Sequence, residues 1–89
     1  MAKAEISWRR VDADGERLQV YAQHVGSRWI FYHRRRRYDQ WGEVANPEIE
    51  DWLALLDSVE RRVARRLQRP EEPGRIRKII SERFPEHKF

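Results

Sequence analysis

Cysteine is absent from this 89-residue chain. That excludes disulfides, thiolate metal sites and cysteine nucleophiles. Lysine is nearly absent too: 3 of the 19 basic residues are lysine and 16 are arginine. The positive charge therefore sits on planar guanidinium forks, which stay ionised and suit phosphates and carboxylates. Codon bias in a GC-rich genome produces the same skew. No apolar run approaches the roughly 20 residues that span a bilayer. The opening Met1-Ala2-Lys3-Ala4-Glu5 has no signal-peptide apolar centre. A cytoplasmic protein without membrane contact is the expectation. No glycine-rich loop follows a strand, so the phosphate-cradling signature is missing as well.

What is present is a mildly basic chain, with net charge +4 from 19 basic and 15 acidic residues. Its length allows one small domain, expected over residues 1–85 with a loose tail over 86–89. Four Trp, three Phe and three Tyr supply much of its bulk. Apolar residues recur at regular spacings, which argues against disorder.

Ile6 and Trp8 alternate with Ser7 and Arg9, predicting a strand over 4–12. The loop Ala13-Asp14-Gly15 suits a type I turn plus bulge, with Gly15 left-handed. A second strand follows over 16–25. Gly26-Ser27 fits a two-residue hairpin loop with glycine first, and a third strand runs over 28–37. These loop lengths dictate the register. Trp8 should oppose Val20, Ile6 oppose Ala22, Ala22 oppose Phe31, and His24 oppose Trp29. One face then collects Ile6, Trp8, Leu18, Val20, Ala22, Trp29 and Phe31. The other collects Ser7, Arg9, Arg17, Gln19, Tyr21, Gln23, Ile30, Tyr32, Arg34 and Arg36. A one-residue slip would mix the two sets.

Residues 38–46 read as a connector containing Trp41 and Gly42. Asn46-Pro47-Glu48 reads as a helix start, with Asn46 as cap. Ile49, Trp52, Leu53, Leu56, Val59, Val63 and Leu67 then recur at three- and four-residue steps, predicting a helix to about Arg69. Leu55 lies at the edge of that stripe. Pro70 stops the helix. A shorter helix is expected over 73–84, with Ile76, Ile79, Ile80 and Phe84 on one side. The expected fold is α+β: a three-stranded antiparallel sheet, one long helix packed on its apolar face, and a shorter C-terminal helix.

The candidate site lies on the open sheet face. Tyr21 and Tyr32 should be directly opposite, with Arg9, Arg34 and Arg36 around them. Tyrosines stack on bases or pack on sugars, and arginines hold phosphates. The same residues also suit a solvated sheet surface. The run Arg34-Arg35-Arg36-Arg37 divides by alternation. Arg34 and Arg36 go to the outer face, while Arg35 and Arg37 go inward, within reach of Glu48, Glu50 or Asp51. On the long helix, acids gather at the start and Arg61, Arg62, Arg65, Arg66 and Arg69 at the end, as the helix dipole favours.

Catalytic residues, metal ligands and cofactors are not expected. His24 and His33 are offset by four residues in this register, roughly 13 Å apart, too far to share a metal. Three antiparallel strands followed by a helix resemble, in element order, small DNA-binding modules of the plant ethylene-response type and some integrase arm-binding domains. That resemblance implies a sheet whose arginines and aromatics read a groove. The expected function is a non-enzymatic binding module with DNA or RNA as ligand. The alternative is a protein-interaction or homodimerisation domain using the sheet face or the helical layer.

Overall fold

The computed structural model describes residues 5–89. It comprises two compact units, a strand unit ending at Pro47 and a helix unit over Glu48–Phe89. The strand unit is an antiparallel meander of β1 (Glu5–Val11), β2 (Arg17–Val25), β3 (Arg28–Arg34) and β4 (Gly42–Val44), in that spatial order. The sheet thus has four strands, not the three expected from sequence. Three residues are too few to show an alternation. Val44 opposite Phe31, Glu43 opposite Tyr32 and Gly42 opposite His33 make the additional ladder. Ala4, the first residue of the expected first strand, lies outside the described residues.

Both hairpin loops have the anticipated chemistry. Gly15 takes φ 81° and Gly26 φ 61°, values that cost an L side chain but not glycine. In the first loop the Asp12 amide donates to the Glu16 carbonyl at 2.8 Å, and the Gly15 amide donates to the Asp12 carbonyl at 3.0 Å. The Asp12 carboxylate also accepts the amides of Asp14 and Glu16, each at 2.9 Å. The register follows from these loops. Trp8 opposes Val20, Ile6 opposes Ala22, Ala22 opposes Phe31, and His24 opposes Trp29. Ile6, Leu18, Val20, Ala22, Trp29 and Phe31 are buried, and Trp8 is half-buried. On that face Trp8 meets Phe31 edge-on with centroids 6.2 Å apart, and His24 stacks on Trp29 at 4.2 Å.

The helix unit holds α1 (Ile49–Ala64) and α2 (Glu72–Arg83). The residue capping α1 is Glu48, not Asn46, and no side chain caps the helix there. Glu48 is extended (φ −73°, ψ 158°), and its carbonyl accepts the amides of Asp51 and Trp52. Pro47 therefore precedes the cap instead of opening the first turn. α1 also ends five residues before the expected Arg69. The Arg66 amide donates to the Val63 carbonyl and the Leu67 amide to the Arg62 carbonyl, with Arg66 at φ 62°. That pair of bonds around a left-handed residue is a Schellman termination. It leaves Leu67 62 % exposed. Leu55, expected at the edge of the stripe, is fully buried together with Val59, Ile76 and Ile80. Glu60 pairs with Arg77 from α2, and the Arg83 guanidinium lies 5.6 Å from the Trp52 ring centroid. No helix among the described residues is long and apolar enough to cross a membrane.

Candidate nucleic-acid interface

The register arranges the outer face of the sheet in rows that cross the strands. One row is Glu5 and Gln23 beside Ile30. The next is Ser7, Tyr21, Tyr32 and Glu43. The third is Arg9, Gln19 and Arg34, extended by Trp41 one step before β4. Strands alternate their side chains and pair residue to residue, so neighbours in a row are set by loop length alone.

The tyrosine row is an aromatic cluster. Tyr21 and Tyr32 stack with centroids 4.5 Å apart and planes 13° from parallel. Trp41 meets Tyr21 edge-on at 4.7 Å and 87°. The Tyr21 phenol is pushed above its ordinary value, first by burial and then by the nearby Tyr32 and Glu5. It stays neutral, a hydrogen-bonding phenol rather than a phenolate.

The arginine row is held in place. Arg34 donates from Nε to Oε1 of Gln19 at 2.6 Å, and its guanidinium carbon lies 4.2 Å from the Trp41 ring centroid. A cation over an aromatic face contributes about 0.5–2 kcal/mol depending on desolvation. Two contacts thus position one guanidinium. Beside it opens a groove of about 570 Å³, whose lining includes Arg9, Arg34, Arg37, Gln19 and Trp41. The lining carries three arginines and no carboxylate. The acids of this face, Glu5 and Glu43, lie in the two other rows.

Of the residues singled out in the sequence, Arg9 and Arg34 meet at this groove, Tyr21 adjoins it through Trp41, and Tyr32 stacks on Tyr21. Arg36 is elsewhere. It follows the end of β3 and lines a separate depression of mixed charge with Glu16, Arg17, Arg35 and Asp39. The reason is a turn. The Asp39 amide donates to the Arg36 carbonyl at 2.9 Å, and the Asp39 carboxylate accepts the Arg36 amide at 3.1 Å. With the strand ended at Arg34, alternation no longer assigns faces. Arg35 pairs with Asp12 and Glu16, the two acids that flank the first hairpin loop, instead of the helix acids. Arg37, expected inward, lines the groove with Arg9 and Arg34.

Trp41 and Arg37 of the groove escaped the sequence reading, and Trp8 and Val20, assigned there to the apolar face, also line it. The available signal was Asp39, a turn-forming residue shortly after the arginine run and before Gly42. It marks where a fourth strand returns and brings its flanking tryptophan back over β3. Among the described residues, no three His, Asp or Glu side chains are placed to hold a metal ion. No protein-family model matches this chain, nor does any curated protein or solved structure.

Proposed function

We propose that the outer sheet face binds nucleic acid, in single-stranded form, as a binding module without catalytic activity. The observation that carries this reading is the groove in which Arg9, Arg34 and Arg37 converge beside Trp41 without a carboxylate. Single strands are held by a cationic track for the backbone together with aromatic platforms for the bases. Arg9 and Arg34 stand two strands apart in one row, roughly 10 Å at ordinary strand spacing. That row is a track running across the strands. The stacked tyrosines and Trp41 flank it as the aromatic element. Glu5 and Glu43 favour one strand over two, because a duplex broad enough to cover the face would set phosphates against them.

The test is fluorescence anisotropy with mixed-sequence single-stranded DNA, single-stranded RNA and duplex DNA at two salt concentrations. Three arginine–phosphate contacts predict a slope of log K against log salt of about −2 for single strands. Arg34→Ala with Arg37→Ala should flatten that slope and weaken binding of every sequence alike. Trp41→Ala should weaken single strands more than duplex. Arg36→Ala, in its separate depression, should weaken binding least. Absence of binding at low salt would refute the reading.

A further inference from the structure

We infer that β1 is a self-complementary docking edge, and that two copies of this chain pair antiparallel through it, centred on Ser7. Among the described residues β1 is an outermost strand of the sheet. Its Glu5, Ser7 and Arg9 are exposed, and Val11 is 61 % exposed. An outermost strand seven residues long is a template for another strand.

The hairpin decides which backbone groups face that edge. Asp12 and Glu16 form a hydrogen-bonded pair at the loop, and in an antiparallel ladder such pairs recur every second residue. Arg10, Trp8 and Ile6 therefore direct their amides and carbonyls to β2. Val11, Arg9, Ser7 and Glu5 direct theirs outward. A partner strand must use the same odd-numbered set.

Among the registers that set permits, the one with Ser7 opposite Ser7 matches both charges. It brings Glu5 opposite Arg9 of the second copy and Arg9 opposite its Glu5, on the outer face. On the other face Ile6 meets Trp8 and Trp8 meets Ile6, so the apolar surfaces join. A shift of one step puts Ser7 opposite Arg9 and Glu5 opposite Val11, and neither charge is matched. A further shift puts Arg9 opposite Arg9. Such reciprocal matching is what a two-fold interface requires. Pairing over residues 5–9 adds about six main-chain hydrogen bonds and makes one continuous eight-stranded sheet.

The dimer does not rest on the nucleic-acid reading: it sets a Glu5 carboxylate beside Arg9, so pairing and phosphate compete for that one arginine of the groove, and association is measured with nucleic acid absent. The experiment is sedimentation equilibrium of the full chain across a dilution series. The wild type should pass from monomer to a species of doubled mass as concentration rises. Glu5→Arg alone and Arg9→Glu alone each set like charges opposite one another twice per dimer, and each should weaken association about ten-fold. The double swap restores opposite charges and should restore association. Ser7→Pro removes an outward amide without removing a bond to β2, which an edge strand tolerates. It should abolish the dimer while leaving thermal unfolding of the monomer intact. A wild type that stays monomeric throughout would overturn the proposal. So would single swaps that associate normally, a double swap that does not recover, or a dimer that survives Ser7→Pro.

Discussion

Arg66 is the residue whose backbone departs most from what its side chain prefers. It is the one non-glycine residue with positive φ among those described, at 62°. It holds the left-handed position of the α1 termination, where glycine is usual. The left-handed conformation costs an L residue roughly 1–2 kcal/mol, and glycine loses part of that advantage to greater freedom in the unfolded chain. Arg66→Gly should therefore stabilise the protein by about 0.5–1 kcal/mol, measured by urea unfolding. The same residue explains why sequence alone overran the helix. Leu67 continues the apolar spacing, and no glycine announces the stop. Trp41 is a similar case. Its place beside Arg34 and Tyr21 depends on a return of the chain that its neighbours in sequence barely signal.

Among the elements, the first hairpin is the one most fully written in its own residues. Asp12 accepts two loop amides and pairs with Arg35, and these contacts hold its carboxyl below the ordinary value of 3.8. The Arg35 hydrogen bond is the largest cause, followed by the Glu16 amide. A depressed carboxyl contributes stability that is complete above its unfolded-state pKa. That stability is lost as pH falls through the folded-state value. Asp12→Asn should thus be less stable than wild type at neutral pH. The difference should shrink below pH 3.8 and vanish once the wild-type carboxyl is protonated. Urea unfolding of both proteins from neutral pH to about pH 2 checks this. A difference that persists unchanged into acid would mean the charge is not the cause. The second hairpin carries its information in two residues, Gly26 and Ser27, and β4 carries almost none in its three.

In the molecule as a whole, burial separates residues that local pattern treats alike. Leu55 and Leu67 both belong to the apolar periodicity that predicts a helix to about Arg69, one at its edge and one on it, though α1 ends at Ala64. Leu55 is fully buried and Leu67 is 62 % exposed. Leu55→Ala should cost about 2–5 kcal/mol, the range for a buried leucine that leaves a cavity. Leu67→Gln should change stability by less than about 0.5 kcal/mol. Thermal and urea unfolding of the two variants distinguish these outcomes directly. The sequence reading reverses their ranks because a helical wheel has no knowledge of where the helix ends.

The sequence by itself determined the register of the first three strands and the two faces they present. Loop length and a side-chain period of two leave no freedom there. Tyr21 opposite Tyr32 and Arg9 in one row with Arg34 were legible for that reason. Only the tertiary structure decided how the arginine run is divided. Arg34 is held by Gln19 and Trp41, Arg35 by the hairpin acids, Arg37 by its place at the groove, and Arg36 is turned aside at Asp39. Those assignments depend on a turn and a three-residue strand, whose stability comes from partners distant in sequence and not from any periodicity of their own.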